Sequence, residues 1–493
     1  MKLPYDDNNV EDIFRYSQKL INKSFRDILK MTFDNKDELL DKSKYYDNPK
    51  FKGSLGNLIE EYFYFIKPNN MNSPDFKSVK LELKVTPFEY NKGQYKAAER
   101  LVITMIPNNK PISSDFENSL LKDKIQKLLL IWYKRNKEQR KIDYIIDFES
   151  LLNIYNEVFK NDLEIIKNDY KLISSKIRKG LAHTLSESDT KYLGACIKGS
   201  TSEKALAVQY YNSDIKSKRR AFCLKQSYMT YLLNNHINKL EKNESIIEKL
   251  NINAKNFDVQ IIKQINKFVN YSETNLYTIF NINKQSKQRN KTLVLKILGI
   301  NTENIDEFIK ANIHIKTIRI KENFKPIESM SFPKFKINNF IKEKFEQSKE
   351  YKYFLNTRFL FVIFKENKDK KYKLYDCFFW NMPIEDLEGK FKEEWELYKN
   401  CFKNNINFVV NKNSNNKIVV YNDLPKKRHT KILHIRPHAN NSAYVINGIK
   451  YGNGSDADMD LLPNGDKITS QCFWLNNDYI SKVIKSKKDE KWN

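Results

Sequence analysis

From Val79 to Val85 the chain alternates without a break: Val79, Leu81, Leu83 and Val85 fall on one side, Lys80, Glu82 and Lys84 on the other. A period of two is the pattern of a half-buried β-strand, so this stretch commits its surroundings to a sheet. On such a strand Glu82 and Lys84 project from the same face. Pro74 and Asp75 lie just upstream, in a turn-forming Asn-Ser-Pro-Asp segment. A carboxylate entering a strand, with Glu-x-Lys on the strand itself, suits metal-dependent phosphodiester hydrolysis. Two carboxylates hold Mg2+ through oxygen while the ion keeps several waters. The ion lowers the pKa of one water and neutralises charge on the phosphate. A lysine beside it orients or activates that water and stabilises the transition state. The same residues would equally make a plain solvated strand face, and in a lysine-rich chain that alternative stands on this stretch alone.

The 87 Lys and Arg against 61 Asp and Glu give a formal net charge of +26 over 493 residues. The excess runs along most of the chain, which points to a polyanionic partner, nucleic acid ahead of an anionic membrane. The length predicts two domains. No apolar run reaches transmembrane length and the first residues do not read as a signal peptide. Five scattered cysteines without a C-x-x-C pattern read as reduced thiols of a cytoplasmic protein. There is no zinc spacing, no Walker loop and no dinucleotide fingerprint, so no nucleotide cofactor is expected.

Along the chain, residues 8–32 read as one helix. Gly53-Ser54 opens a second, with Leu55, Leu58, Ile59, Tyr62 and Ile66 as its apolar stripe and Glu60 and Glu61 on it. After the Glu82 strand come a turn at Asn91-Lys92-Gly93 and a buried strand at Leu101–Ile106. Ser114-Asp115-Phe116-Glu117 reads as a capping box opening a helix with Lys122, Lys124 and Lys127. Leu128–Trp132 is a further strand, 144–179 a helix stopped at Lys179-Gly180, and Asp189–Ser202 loop and strand holding Lys198-Gly199-Ser200. The first half closes at Phe222–Leu233. This order makes a mixed α/β domain. The domain boundaries expected are 1–238, a polar connector over 239–256, and 257–493. The second half has strands at Ile313–Ile320, Phe359–Phe364 and Tyr375–Trp380.

The halves echo each other. Tyr192–Gly199 matches Leu433–Ala439, Phe222–Met229 matches Phe473–Ile480, and Ser24–Leu29 matches Glu273–Phe280 loosely. On that reading Leu81-Glu82-Leu83-Lys84 corresponds to Ile313-His314-Ile315-Lys316, and the helix counterpart around Leu295–Leu298 has no acid. The second half would keep the fold and lose the metal site.

At these residues the first half resembles MutH, the mismatch-repair endonuclease, and the whole chain resembles the Sau-three-A type restriction endonucleases. Those are MutH relatives with two copies of the fold, of the PD-(D/E)xK class. Gly56-Asn57-Leu58-Ile59-Glu60 is similar to the family's glycine-to-glutamate helix; Pro74-Asp75, Glu82-Leu83-Lys84 and Thr86-Pro87 are similar to its catalytic strand. Phe116-Glu117-Asn118-Ser119 with Lys124 is similar to the helix with a further catalytic lysine. Tyr192-Leu193 with Lys198, and Ile435-Arg436-Pro437-His438-Ala439-Asn440, are similar to the base-reading loop.

The resemblance implies two tandem restriction-endonuclease-like domains. Asp75 and Glu82 would be metal ligands with the Leu83 carbonyl, and Glu60 would support the Mg2+ or its water. Lys84 would activate or orient water and Lys124 would assist at the phosphate. It further implies cleavage of double-stranded DNA before the G of GATC, with a non-cutting second half on another GATC copy. The chain would be a monomer, dimerising or looping on DNA. Cys223 stands where MutH has the tyrosine assigned to methyl sensing, so adenine-methyl discrimination is not implied. Arginine suits bidentate contact with guanine and asparagine with adenine, which makes Arg436, Asn440, Asn441 and Lys198 candidates for DNA contact. Pro437 and Lys225 complete that set, and phosphate contact is the alternative for each lysine. Two readings compete with a restriction enzyme: a MutH-like nickase and a non-enzymatic DNA-binding protein.

Overall fold

The structure is a computed structural model of the chain and describes residues 3–51, 53–67, 73–91, 93–199, 206–239, 243–414 and 418–492. The chain divides into two compact units: Met1–Phe257 with Thr302–Ile313, and Asp258–Asn301 with His314–Asn493.

In the first unit the helix expected over 8–32 is two helices, α1 (Val10–Ser17) and α2 (Phe25–Thr32). Asn22 takes a left-handed φ of 62°, and Ser24 with Asp27 forms a capping box that starts the chain afresh. α3 (Lys36–Asp47) was not anticipated. α4 (Ser54–Leu58) runs into a π turn, Ile59–Phe63, that carries Glu60 and Glu61. The central strand β1 spans Glu82–Asn91 and starts later than the alternation suggests. Val79 and Lys80 lie in a turn, where Lys80 has φ 54°. β2 (Gln94–Ala97) returns through a turn at Gly93, whose φ is +81°, and β3 (Leu101–Met105) leaves for another sheet.

α5 (Leu120–Ile125) is capped by Ser119, not by a box at Ser114, because Asp115 spends its carboxylate on the Glu117 N–H and the Asn118 amide. Lys127 opens β4 (Lys127–Lys134) instead of riding on that helix. The helix expected over 144–179 is strand β5 (Ile146–Asn153) followed by α6 (Lys160–Arg178). Pairing with the buried β4 overrides helical propensity there. The helix does stop at Gly180, φ +73°. β6 (Leu193–Ile197), β7 (Leu206–Gln209), β8 (Asn212–Lys218), β9 (Arg220–Leu224) and α7 (Gln226–Tyr231) complete this run. Ser200 and Ser202 of the expected loop lie outside the described residues, as do 240–242 of the connector, which otherwise holds α8 (Ile246–Leu250). One sheet has the order β2-β1-β4-β5, with β1 parallel to β4, and a second the order β3-β9-β6.

The second unit begins with α9 (Phe257–Asn266), α10 (Glu273–Ile279) and α11 (Arg289–Ile297); α12 (Asp306–Ala311) belongs to the first. Then come β10 (Ile313–Ile320), β11 (Met330–Lys334), α13 (Ile337–Phe340), α14 (Lys349–Asn356), β12 (Arg358–Glu366), β13 (Tyr372–Trp380), α15 (Ile384–Asp386) and α16 (Lys392–Lys403). The hairpin β14 (Phe408–Lys412) and β15 (Ile418–Asn422) precedes β16 (Leu433–Pro437). A small sheet of β17 (Ala443–Ile446), β18 (Ile449–Gly452), β19 (Met459–Leu461) and β20 (Lys467–Thr469) leads to β21 (Gln471–Leu475) and α17 (Asn477–Trp492).

The internal repeat is written in the hydrogen bonds. The order β10-β12-β13 repeats β1-β4-β5, and β11-β21-β16 repeats β3-β9-β6. The register slips between Trp132 and Tyr133 in one unit and between Ile363 and Phe364 in the other. Asn22 donates its N–H to the Ile146 carbonyl, and Asn270, also left-handed, to that of Leu374. The match of Ser24 is therefore Ser272, one residue from the expected alignment. On α6 the buried Asp169 carboxylate accepts the N–H groups of Lys191, Tyr192 and Leu193 at 2.9, 2.7 and 3.0 Å. On α16 the buried Glu394 takes those of Lys431, Ile432 and Leu433 at 2.6, 3.0 and 2.7 Å. Each acid fixes the entry of the strand that leads to the loop expected to read bases, satisfying three backbone donors that burial would otherwise leave unpaired.

Candidate active site

β1 and β4 bury an apolar layer of Leu81, Leu83, Leu129 and Ile131 with α2 and α4. That layer holds the start of β1 rigid. A bridge between Phe76 and Leu81 folds the preceding turn back on the strand, with N–H···O distances of 3.0 and 3.1 Å. It brings Asp75 alongside, where its Oδ2 accepts the Leu83 N–H at 2.9 Å. Glu82 is 1% exposed. Its Oε1 receives Lys84 Nζ at 2.5 Å and Lys124 Nζ at 3.1 Å. Its Oε2 is buried with no hydrogen-bond partner among the described residues. A solvated strand face is thereby excluded for Glu82.

The π turn separates the two glutamates of its helix. Glu61 receives the Tyr46 hydroxyl at 2.9 Å and is exposed. Glu60 is half-buried among the site residues: burial first, then the neighbouring Asp75 carboxylate, pushes its pKa up to about 7. Asp75 is raised by burial and by Glu82, against the pull of Lys84 and Lys124. Glu60, Asp75, Glu82, Lys84 and Lys124 thus form one electrostatic group, drawn from a π turn, a loop, a strand and α5.

The group is short of positive charge. Three carboxylates face two lysines, two of the acids hold their protons too tightly, and one buried carboxylate oxygen has nothing to bond. A divalent cation fits such a donor set. Among the described residues no three potential ligands close a cage by themselves. That agrees with a hard ion that takes one or two carboxylates and keeps its own waters.

The base-reading candidates divide. Lys198 follows β6, half-buried, with its N–H on the Arg219 carbonyl at 2.8 Å. Arg436 and Pro437 end β16 and are exposed, as are Asn440 and Asn441 beyond them. The Arg436 guanidinium lies 5.2 Å from the Trp474 ring centre. Lys225 does not fit its expected DNA contact: it is 3% exposed and its ammonium is bound to the Thr190 carbonyl. Its task is to hold the loop that Asp169 also holds. Cys223 is fully buried on β9.

Sequence reasoning passed over Asp169 and Glu394. For Asp169 a signal existed. It sits between Ile166, Tyr170 and Ile173 on the buried stripe of α6, where an acid must have donors to meet.

A family profile described as "DNA mismatch repair enzyme MutH" matches residues 64–169. That segment carries Asp75, Glu82, Lys84 and Lys124. The chain is 33% identical over 461 residues to "Type II restriction enzyme Sau3AI" of Staphylococcus aureus, a match covering 88% of this chain and 92% of that enzyme. No helix among the described residues is long and apolar enough to cross a membrane.

Proposed function

We infer the function from the family: this chain belongs to the MutH-like type II restriction endonucleases. It is a nuclease, and its partner is DNA. We propose further that it recognises GATC in double-stranded DNA and hydrolyses both strands before the G with Mg2+. The second unit takes another GATC copy as an allosteric effector. The observation that carries the chemistry is Glu82, buried, held by two lysines on one oxygen and unbonded on the other.

Asp75 and Glu82 would hold Mg2+, with Glu60 supporting the ion or its water; when bound the ion supplies Lewis-acid charge and a water of lowered pKa. The bond from the Leu83 N–H keeps Asp75 beside Glu82. Lys84 and Lys124 hold two positive charges on the inner side of the group, where phosphate charge builds during attack. Their shared grip on Glu82 prevents that carboxylate from swinging away. In the second unit Arg436 offers a planar fork for guanine, and Asn440 and Asn441 offer paired donor and acceptor for adenine.

Incubation with GATC plasmid and Mg2+ tests the whole reading. Linear fragments are expected. Open circles would mark a nickase, and unchanged plasmid a binding protein. A plasmid with two sites cut faster than one with a single site would bear out the effector role, since the two sites are then coupled.

The acids also predict a pH-dependent stability. Glu60 has an ordinary value of 4.5 and about 7 in the folded protein. The folded state therefore holds this proton more tightly, and stability from the group is lost as pH rises through that window. A divalent cation binds the ionised form and offsets the loss. Mg2+ is expected to raise Tm more at pH 8 than at pH 6, and Glu60→Gln to flatten the difference. Equal Mg2+ shifts at both pH values in the unaltered protein would detach Glu60 from the ion.

A further inference from the structure

The second sheet of each unit carries one arginine on the face that leads to the loop expected to read bases, and the two units place it at opposite ends. The hydrogen-bond registers fix the correspondence. Leu101, Leu224 and Leu193 stand side by side in the first unit as Met330, Leu475 and Leu433 do in the second. Counting from that row, Arg100 corresponds to Ser329, Cys223 to Trp474, Gly194 to His434 and Cys196 to Arg436. The one-turn helix Glu187–Asp189 leads into β6 as Lys427–His429 leads into β16, and at the same spacing, so Glu187 corresponds to Lys427.

In the second unit Arg436 starts at the loop end of this strip and runs back along it. Its guanidinium lies 5.2 Å from the Trp474 ring centre, and its Nη2 is 3.5 Å from the Ser329 hydroxyl oxygen. In the first unit the loop end carries Cys196, and the arginine stands at the other end, at Arg100. Its Nη1 donates to the Glu187 carboxylate. The Glu187 side chain lies over Gly194: a Cβ there would meet Glu187 Cγ at 3.8 Å and Cys223 Sγ at 3.2 Å. Gly194 and Cys223 are paired across β6 and β9 as His434 and Trp474 are across β16 and β21. A guanidinium is thus held on the same strip in both units, delivered from opposite ends.

The plain alternative is that Arg100 only neutralises Glu187, whose side chain is 3% exposed and would be costly if left unpaired. The second unit argues against it. There Lys427 replaces the acid, and a guanidinium is nonetheless present on the strip. What the two units share is the arginine and not the acid. Glu187 therefore holds Arg100 in one orientation, as Trp474 and Ser329 hold Arg436, and fixing a long side chain in advance lowers the cost of binding. The Arg100 side chain remains 33% exposed, enough to meet a ligand.

We propose that Arg100 is the guanine-reading residue of the first unit, donating to N7 and O6 of the G in the major groove in place of the arginine that Cys196 does not supply. This rests on the reading of the chain as a GATC endonuclease, and it names the residue behind recognition of the first base. Glu187 is its positioning residue.

Two measurements on the full chain test it. In the first, trace modification of arginines by phenylglyoxal is followed by mass spectrometry, without Mg2+, on the protein alone, with GATC duplex and with scrambled duplex. Arg100 is expected to lose about tenfold or more of its reactivity with GATC duplex, at a concentration that saturates specific but not non-specific binding, and little with the scrambled one. In the second, Arg100→Gln is combined with Glu187→Gln, which removes both charges and leaves no unpaired buried acid. Single-turnover cleavage is measured on a GATC duplex and on one with 7-deazaguanine, in which N7 is replaced by C–H. The unaltered chain and Arg436→Ala are run alongside, so that a guanine contact in the second unit is accounted for. Both are expected to be slowed about tenfold by the modified base. The double variant is expected to keep a Tm close to that of the parent, to cut slowly, and to cut the two duplexes at the same rate. Full cleavage by the double variant, or a folded double variant still slowed by 7-deazaguanine, would overturn the assignment and leave Arg100 as the partner of a buried acid. Equal protection of Arg100 by both duplexes would make it a phosphate contact, and no protection would remove it from the DNA; either overturns the proposal. If the double variant does not fold, the protection measurement decides alone. Equal binding of GATC and scrambled duplex by the unaltered chain would instead overturn the GATC reading, and the proposal with it.

Discussion

Replacing Glu82 with alanine is expected to abolish DNA cleavage while leaving duplex binding close to that of the unaltered protein, and Asp75→Ala is expected to do the same. Both carboxylates lie at the start of β1, and neither is among the residues proposed to read bases. Glu82 joins every part of the site: it is held by Lys84 from its own strand and Lys124 from α5, and its second oxygen awaits a partner. Its loss would remove a proposed cation ligand and leave two ammonium groups without their shared carboxylate. Losing one such electrostatic contact costs on the order of a hundredfold or more in rate. Single-turnover cleavage of a GATC plasmid measures the loss, and gel retardation without Mg2+ measures binding. Breaking a buried ion pair also costs about 3–5 kcal/mol of stability. The Glu82 result is therefore interpreted only where circular dichroism shows a folded variant, and Asp75, which makes one backbone hydrogen bond, provides the cleaner case. Near-normal cutting by folded Asp75→Ala would remove it from the site.

The site was legible in the sequence because its parts lie on short-range patterns. Asp75, Glu82 and Lys84 fall within ten residues, and the period-two run fixed which residues share a face. The alternation nevertheless misjudged the environment of Glu82. It placed Glu82 on the polar side of a half-exposed strand, whereas Glu82 is buried with Lys84 and Lys124 bonded to it. Period alone carries no information on what covers the polar face. The choice of Glu60 over Glu61 followed from the distance to Gly56. The structure gives the physical cause, a π turn that sends one acid inward and the other to Tyr46.

Where the reading went wrong, long-range pairing was responsible. Nothing local in Ile146–Asn153 forbids a helix; only β4 as a buried neighbour makes it a strand. The opposite error, one helix over 8–32, was avoidable. Ser24-x-x-Asp27 is a start signal in its own right, and the apolar stripe continues across the break only because both helices pack on the same core. Lys225 was misplaced for a third reason. A lysine after a strand in a basic chain looks like a surface charge, and its burial against the Thr190 carbonyl depends on a loop that Asp169 positions from elsewhere. The second unit carries Asn476 at the corresponding place, bonded to the Thr430 carbonyl at 2.8 Å, so the contact is kept while the charge is not. That exchange marks Lys225 as part of the scaffold.

Lys84 supplies the second large expected effect, and the two substitutions at this position separate charge from chemistry. Lys84 is the inward-facing cation on β1, 2.5 Å from Glu82 Oε1 and partly open to solvent. Lys124 reaches the same oxygen from α5, so Lys84→Ala leaves Glu82 with one ammonium and the site still folded. Cleavage should nonetheless fall by about a hundredfold or more, because a charge that steadies the transition state is lost from the strand. Lys84→Arg restores the charge but not the shape. A guanidinium is planar and wider than an ammonium and does not give up its proton near neutral pH. Sharing Glu82 Oε1 with Lys124, it must either displace Lys124 from Glu82 or turn toward solvent. The arginine variant is therefore expected to bind duplex as well as the unaltered protein and to cut no faster than the alanine variant. Single-turnover rates on the same plasmid across a pH series measure both. Full activity in the arginine variant would reduce Lys84 to a simple positive charge, and the proton-handling role would then pass to Lys124 or to solvent.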